Sequence, residues 1–191
     1  MKIGILGGTF NPPHIGHLVL AQEFVENLGL DKILFIPTNI SPHKEIESAN
    51  VDNRLEMIKL AVAGNDCFEV LDLEVKREGV SYTIDTVKEL KRKYPDQELY
   101  LILGSDLAND FSEWKDYEEI KKIVKVVVAC RKSFPLKEKD DFILSDVTQI
   151  EISSSKIRNF IREGHDVKYF VNTEVLNYIR KHKLYSRKEE S

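Results

Sequence analysis

The sequence predicts an α/β protein with a doubly wound parallel sheet and helices toward its C-terminal end. Short apolar runs that lack polar alternation lie at residues 2–8, 32–37, 68–71, 98–104 and 125–130. Helical patterns separate several of these runs, at residues 14–28, 51–63 and 83–94. A strand that is apolar on both sides has to be covered on both faces, which parallel sheets with crossover helices achieve.

The elements follow one another as strand, loop and helix. The first strand ends in Gly7-Gly8, and a Pro-Pro loop separates it from the helix that begins at about His14. The second strand ends at Pro37, and the helix after it repeats apolar residues at spacings of three and four. Pro95 ends the helix before the fourth strand. Because ligands bind beyond the carboxyl ends of such strands, we expect the glycine-rich strand ends to form one functional edge.

The C-terminal third is less regular. Residues 132–150 are charged and without periodicity, which predicts a surface excursion, and a short strand-like run follows at residues 148–152. Apolar residues at 157, 160 and 161 then indicate a helix. We expect one domain over residues 1–191, with a flexible tail at residues 186–191, where no apolar residue anchors the chain.

The composition limits which partners and which cellular location we expect for the protein. Lys and Arg number 28 against 32 Asp and Glu, a net charge of −4, so we expect no nucleic-acid partner. Cys67 and Cys130 lie in apolar runs without metal or pairing motifs, which predicts reduced core residues. Residues 1–7 are too short for a signal peptide, and no stretch approaches the ~18 apolar residues of a membrane span. We therefore expect a soluble, cytoplasmic protein that is not bound to a membrane.

The strongest motif is Gly7-Gly-Thr-Phe-Asn-Pro-Pro-His-Ile-Gly-His17, between the first strand and the first helix. Glycines at a strand exit let the backbone approach phosphates, and the helix that follows offers unpaired N–H groups and a positive dipole end. His14 and His17 are three residues apart and share one face of the first turn. Imidazoles beside a triphosphate favour their charged form and donate hydrogen bonds to phosphate oxygens.

Other interpretations of this motif are weaker. Incidental histidines are common singly, but two at this spacing after a glycine-rich strand exit are not. A zinc site would need a third ligand, and His43, His165 and His182 lie in no metal-ligand pattern. The glycines do not have the G-x-G-x-x-G spacing of dinucleotide-binding dehydrogenases, so that class is disfavoured.

A second motif, Ile152-Ser-Ser-Ser-Lys-Ile-Arg158, precedes the C-terminal helical pattern. Its serines can cap the helix and offer hydroxyls to an anion, and Arg158 supplies a planar fork for phosphate oxygens. Alone, the segment is more simply an ordinary serine cap with a surface arginine. Together with the histidine motif, it predicts a second contact to the same phosphates.

The two motifs resemble the two ends of the active site in the HxGH nucleotidylyltransferases, whose sheet is Rossmann-like. More closely, the sequence resembles bacterial nicotinate-nucleotide adenylyltransferases over nearly its whole length. Further matching segments lie at residues 42–44, 77–86, 104–106, 114, 178–179 and 184–185. Asn11 departs from the Asp that is usual in this family, which puts any role of that carboxylate in doubt; Ser105, Ser155 and Asn172 are conservative or peripheral departures.

The resemblance implies an ATP site and an acceptor site for nicotinate mononucleotide. The implied catalytic residues are His14, His17 and Arg158. The implied ATP site consists of Gly7, Gly8, Thr9, Phe10, His14, His17, Gly104, Asp106, Ser154 and Arg158. The implied acceptor site consists of Asn39, His43, Lys44, Tyr82, Thr83 and Trp114. From residue type alone, a single tryptophan is more often a core residue, and a lysine in a proline-bounded loop is ordinarily solvated.

The implied reaction gives deamido-NAD and pyrophosphate. A phosphate monoester has a second pKa of about 6, so its oxygen is already an anion and needs no general base. We therefore predict in-line attack on the α-phosphorus of ATP without a covalent intermediate. Mg²⁺ is expected as the cofactor, bound mainly through nucleotide oxygens, with no metal site built from protein side chains alone.

Several rivals stay open at this point. The acceptor could be nicotinamide mononucleotide, or, less well supported, another phosphate monoester such as phosphopantetheine. A nucleotide-binding regulator without catalysis is a different class. A tRNA synthetase fragment fits His14-Ile-Gly-His17, but no Lys-Met-Ser-Lys-Ser segment follows. The oligomeric state is open, and a homo-oligomer is compatible with the sequence.

Overall fold

The computed structural model describes residues 1–42, 49–130, 135–137 and 142–187. Within these residues, six parallel strands form one sheet in the order β3-β2-β1-β4-β5-β6. The strands are β1 (Lys2–Gly8), β2 (Lys32–Pro37), β3 (Phe68–Val70), β4 (Glu98–Gly104), β5 (Lys125–Ala129) and β6 (Ile143–Ser145). The predicted parallel, doubly wound sheet is confirmed.

Helices cover both faces of this sheet. They are α1 (Ile15–Leu28), α2 (Val51–Val62), α3 (Leu73–Arg77), α4 (Thr83–Lys93), α5 (Ser105–Ala108), a 3₁₀ helix (Phe111–Glu113), α6 (Tyr117–Ile123), α7 (Ser154–Arg162) and α8 (Thr173–Lys181). Among the described residues, no helix combines the length and the apolar character needed to cross a lipid bilayer.

Strand β2 illustrates why the apolar runs have no polar alternation. Ile33 and Phe35 belong to a buried cluster that also contains Phe24 of α1. Leu34 and Ile36 point to the opposite face and belong to a cluster with the buried residues of α4. Since successive side chains of a strand alternate between faces, a central strand packed on both sides has to be apolar throughout.

The two central strands, β1 and β4, determine where the sequence motifs lie. Strands β1 and β4 are neighbours in parallel register, from Lys2 opposite Glu98 to Ile5 opposite Leu101. The chain adds strands outward in one direction after β1 and in the other direction after β4, which makes this pair the switch point of the topology. The Gly8 and Gly104 ends therefore lie at one edge of the sheet, as predicted.

Three predictions about local structure were wrong. Strand β6 lies in the stretch expected to be irregular; it has only three residues and keeps Ile143 and Leu144 exposed, so it carries no buried apolar signature. Residues 148–152 form no strand, and there the Thr148 N–H donates to Glu23 Oε2 at 2.7 Å. The two cysteines are free but half-buried at the sheet periphery and do not belong to the core.

Some expectations fall on parts of the chain that the structure leaves out. Residues 43–48, 131–134 and 138–141 lie outside the described residues, and so does most of the predicted tail, at 188–191. The short helices α3, α5 and α6 were not predicted, because four to seven residues carry too little of a helical period to be recognised.

Candidate active site

The loop between β1 and α1, residues 9–14, begins with a close packing contact. Phe10 has a positive φ of 47° and turns its ring back against Gly8. A Cβ atom on Gly8 would lie 3.1 Å from Cζ of that ring, closer than side chains normally approach. Gly8 is therefore required by packing within the loop, and the Phe10 ring is fully buried beneath it.

The two histidines form a compact pair at the start of α1. Their rings stack with centroids 3.7 Å apart and planes inclined by 26°. The His14 backbone N–H donates to His17 Nδ1 at 3.1 Å, so in the neutral ring the proton of His17 is on Nε2. A Cβ on Gly16 would lie 3.1 Å from His14 Nδ1, which explains the glycine between the histidines. His14 is buried and His17 is half-buried.

The second motif, at residues 152–158, contacts this loop directly. Ser153 is the N-cap of α7, and its hydroxyl accepts a hydrogen bond from the backbone N–H three residues on, at 3.2 Å. Ser154 Oγ donates to the Pro12 carbonyl at 2.8 Å, and Arg158 donates through one terminal nitrogen to the Asn11 carbonyl at 2.9 Å. The structure therefore brings together two segments that are more than a hundred residues apart in sequence.

Tyr185 is a further contact of this loop. Its hydroxyl donates to Asn11 Oδ1 at 2.7 Å, and both side chains are buried. Burial raises the pKa of the Tyr185 phenol, so the hydroxyl stays a proton donor at neutral pH. The amide oxygen of Asn11 thus accepts this bond without placing a carboxylate in the loop. The sequence marked Tyr185 only as part of a matching segment.

Arg54, on α2, was missed by the sequence analysis. It donates to the Thr9 carbonyl at 2.9 Å and to the Asn39 carbonyl at 3.3 Å, and it is 1% exposed. The spacing of residues along α2 could have identified it. Arg54 precedes Ile58 by four residues and Ala61 by seven, so it begins the apolar stripe of the helix, where a cation is out of place.

The acceptor side begins where β2 ends. The Asn39 backbone N–H donates to Ser81 Oγ at 3.0 Å, and its side-chain amide donates to the Gly79 carbonyl at 3.1 Å. Asn39 is therefore held against the segment that leads into α4. His43 and Lys44, which the sequence analysis also assigned to the acceptor, lie outside the described residues.

A cavity of about 200 Å³ collects the remaining acceptor residues. It is lined by Pro42, Tyr82, Thr83, Glu113, Trp114 and Lys115. Trp114 is half-buried and meets Phe111 edge to face at 5.4 Å, so it is not a simple core residue. The ammonium of Lys115 lies 4.4 Å from the centroid of the Tyr82 ring. Lys115, which no pattern in the sequence marked, brings a positive charge to this cavity.

The buried side chain of Glu74 contacts the segment that carries Tyr82 and Thr83 of this cavity. Glu74 Oε1 accepts from Thr86 Oγ1 at 2.7 Å, and the Ser81 hydroxyl lies close enough to favour the charged carboxylate. Arg77 donates to Thr86 Oγ1 at 2.9 Å. Burial raises the pKa of the Glu74 carboxyl, against the opposing effect of these hydrogen bonds and of Arg77. The residues that bracket Tyr82 are thus tied to one buried group.

The end of β4 contributes Gly104 and Asp106. Gly104 is the N-cap of α5, and Asp106 lies half-buried in its first turn. The neighbouring Ser105 is fully buried. Over the part of the chain that the structure describes, no three His, Cys, Asp or Glu side chains converge as metal ligands do.

The sheet order, the stacked histidines and the closure of α7 onto the β1–α1 loop together define a class of enzyme. A sequence model of the family described as Cytidylyltransferase-like matches residues 5–160. The fold and site are those of a nucleotidyltransferase with the H-x-G-H motif.

Similar proteins narrow this class. A Bacillus licheniformis protein named "Probable nicotinate-nucleotide adenylyltransferase" is 40% identical over 185 residues, 96% of this chain and 98% of its own. A Borreliella burgdorferi protein of the same name is 43% identical over 190 residues, 98% of each chain. The chain belongs to the nicotinate-nucleotide adenylyltransferase family. The predicted enzyme class and its role in NAD biosynthesis are confirmed by this membership.

The fold is also found in a solved structure. The nicotinic acid mononucleotide adenylyltransferase of Plasmodium falciparum, complexed with NaAD, has a TM-score of 0.81 to this chain at 23% identity. The likeness covers 96% of this chain and 97% of that one. It independently confirms the Rossmann-like fold class.

Proposed function

We propose that this chain transfers the adenylyl group of ATP to nicotinate mononucleotide, forming deamido-NAD and pyrophosphate. The observation that carries the proposal is the joining of the two motifs. Ser154 and Arg158 bond to the loop carbonyls of Pro12 and Asn11, next to the histidine pair in sequence and structure. A triphosphate bound here meets imidazole and guanidinium groups and the N-termini of α1 and α7.

On the donor side, the side chains are of the kinds that donate hydrogen bonds to phosphate oxygens. His17 Nδ1 accepts from the backbone, so the neutral ring carries its proton on Nε2, and we assign that atom as the donor to a phosphate oxygen. Arg158 uses its two terminal nitrogens on Asn11 and on Ser155 Oγ, at 2.9 and 3.2 Å, yet a guanidinium has five N–H groups. Gly7 is exposed, and a Cβ there would meet no described atom within 4 Å, so a phosphate can approach the backbone.

The chemistry then needs positioning and charge stabilisation. An oxygen of the acceptor phosphate attacks the α-phosphorus in line, the bond to the β-phosphate oxygen breaks, and pyrophosphate leaves. The attacking oxygen is already an anion at neutral pH, so no general base is required. His14, His17 and Arg158 stabilise the charge that develops on the transferring and leaving groups.

We assign Mg²⁺ as the cofactor, held mainly by nucleotide oxygens and water. The donor set fits this assignment, because three carbonyls of the loop are already bonded to Arg54, Arg158 and Ser154. Asp106 supplies a carboxylate that can contact the hydrated ion. Bound Mg²⁺ neutralises charge on the phosphates. We also assign the reaction to the cytoplasm, with small molecules as partners and no role for nucleic acid or membrane.

On the acceptor side, the cavity suits a planar ring that carries a negative group. Trp114 and Tyr82 provide aromatic faces, and Thr83 provides a hydroxyl. The Lys115 ammonium would attract the carboxylate of nicotinate more strongly than the neutral amide of nicotinamide, and this preference has to outweigh the charge of Glu113, which lines the same cavity. Asn39 is assigned to the ribose phosphate side, together with His43 and Lys44.

The test is pyrophosphate release with ATP and Mg²⁺, comparing nicotinate mononucleotide with nicotinamide mononucleotide under identical conditions. We expect a strong preference for the acid. Equal or better use of the amide would refute the acceptor assignment while keeping the mechanism. No release with either acceptor would favour a regulator that binds nucleotides without turning them over.

A further inference from the structure

Arg54 joins two segments at the point where their strands separate. The ladder between β1 and β2 runs to Gly8 opposite Pro37, and the Thr38 N–H still donates to the Gly8 carbonyl at 2.9 Å. One residue further, the two chains diverge. There the guanidinium of Arg54 bridges the Thr9 and Asn39 carbonyls, using a different nitrogen for each.

The two bridged carbonyls belong to opposite halves of the proposed reaction. Thr9 lies in the β1–α1 loop, assigned to ATP, whereas Asn39 lies in the segment assigned to the acceptor phosphate. Asn39 is also bonded through its N–H to Ser81, which precedes the acceptor cavity. The guanidinium is thus one link in a continuous path of hydrogen bonds between the two sites.

Burying a cation at this position has a large desolvation cost. Arg54 is among the largest fully buried side chains, and burial lowers the pKa of its guanidinium, although arginine stays charged in proteins. Among the described residues, no Asp or Glu forms an ion pair with it, and its Nε has no hydrogen-bond partner. A methionine would pack at lower electrostatic cost, so packing alone does not account for Arg54.

We propose that Arg54 is a positioning residue that sets the separation of the ATP loop and the acceptor segment, so that the acceptor oxygen lies in line with the α-phosphorus. This inference rests on the proposed function. Its physical basis is that an in-line reaction depends steeply on the relative placement of the two reacting groups. The fork of a guanidinium can hold two divergent carbonyls at once, which a single ammonium nitrogen cannot do in the same geometry.

The decisive variant is Arg54→Lys, which keeps the buried cation and removes the fork. We expect the KM values of both ATP and nicotinate mononucleotide to rise, and kcat to fall by about tenfold or more. Arg92→Lys is the matched control, since Arg92 is exposed on α4 and donates only to a carbonyl of its own helix. That control should match the wild type in all three constants.

Calorimetry without turnover separates positioning from folding. α,β-Methylene-ATP cannot release pyrophosphate, so the affinity for nicotinate mononucleotide can be measured with and without it. We expect the analogue to change the acceptor affinity of the wild type, and this coupling to shrink toward none in Arg54→Lys. Arg54→Met, if it folds, should show the same loss, because it fills the space without bridging the carbonyls.

Two results would overturn the proposal. One is an Arg54→Lys protein that melts at a lower temperature but keeps both KM values, kcat per folded molecule and the coupling. The other is a wild type with no coupling between its substrates. Failure of the wild type to release pyrophosphate with nicotinate mononucleotide would instead refute the proposed function, so the two failures are distinguishable.

Discussion

The donor and acceptor sides of the site are held in opposite electrostatic ways. On the donor side, the carbonyls of the β1–α1 loop accept hydrogen bonds from Arg54, Ser154 and Arg158. On the acceptor side, the carboxylate of Glu74 accepts a hydrogen bond from the hydroxyl of Thr86, one turn along α4 from Thr83 of the cavity. Cations thus support the part proposed to bind ATP, and an acid supports the part proposed to bind the nicotinate ring.

This difference indicates that the two sides make different contributions to the reaction. With three of its carbonyls occupied, the donor loop would present N–H groups, imidazoles and positive charge to bound phosphates, so we expect its contribution to be electrostatic. The proposed acceptor cavity has aromatic faces, the cation Lys115 and the anion Glu113 in its lining, so we expect its contribution to be shape and charge selectivity. Substitutions on the donor side should therefore reduce turnover, whereas those on the acceptor side should mainly alter acceptor affinity.

The largest effect is expected for His17→Ala. Removing one preorganised donor to the phosphates should lower kcat by roughly 10²-fold or more. Steady-state pyrophosphate release at saturating substrates measures it. His165→Ala is the control, because His165 is exposed near the C-terminal end of the chain and outside the site. Near-normal turnover in His17→Ala would exclude that residue from catalysis.

Trp114→Ala tests the acceptor half of the comparison. Loss of an aromatic face on which a ring stacks should raise the KM for nicotinate mononucleotide by roughly tenfold, with little change in the KM for ATP. Tyr169→Ala is a suitable control, since that aromatic side chain is 84% exposed. An equal rise in both KM values would mean that Trp114 supports the whole site and is not specific to the acceptor.

Glu74→Gln has an effect that depends on pH. Because burial raises the pKa of the Glu74 carboxyl, its contribution to stability is fully present below the ordinary glutamate value of 4.5 and is lost as pH rises through the raised value. Glutamine undergoes no such loss. The free energy of unfolding of Glu74→Gln, relative to wild type, should therefore increase as the pH rises from about 4.5 toward neutral and slightly basic values.

Urea unfolding across that pH range measures this difference. Glu89→Gln is a comparison on the same network, since Glu89 pairs with Arg77 but is partly exposed. A difference that is flat with pH for Glu74→Gln would mean that its carboxyl titrates alike in the folded and unfolded chain.

Tyr185→Phe should reduce turnover much less than His17→Ala does. It removes only the hydroxyl that donates to Asn11, at an expected cost of about 1 kcal/mol in unfolding free energy and a severalfold loss of kcat. Tyr169→Phe, in which an exposed hydroxyl is lost, should match the wild type. A Tyr185→Phe enzyme of full stability and activity would show that the loop does not need this anchor.

The sequence allowed the main strands and the long helices to be predicted, because buried central strands and amphipathic helices have clear periods. The H-x-G-H segment was recognised in the sequence, and Arg158 was predicted to contact the same phosphates. In the structure, Arg158 donates to the Asn11 carbonyl in the loop that leads to this segment. The sequence did not identify β6, whose three residues are partly exposed. Lys115 was missed because a single lysine beside a tryptophan has no pattern.

Arg54 is the more instructive omission. Its place on the apolar stripe of α2 was visible in the spacing, but nothing in the sequence indicates which carbonyls a buried guanidinium will reach. The hydrogen bonds to Thr9 and Asn39 depend on how three separate segments pack, and only the folded chain defines that arrangement.

The contacts of the β1–α1 loop also bear on when during synthesis the protein becomes active. Ser154, Arg158 and Tyr185 bond to Pro12 and Asn11 across 142, 147 and 174 residues of chain. Contacts of such separation form late, after the long intervening loop has been closed. We therefore expect a nascent chain that has already formed β1 and α1 to lack activity until α7 and Tyr185 have left the ribosome and packed against the loop.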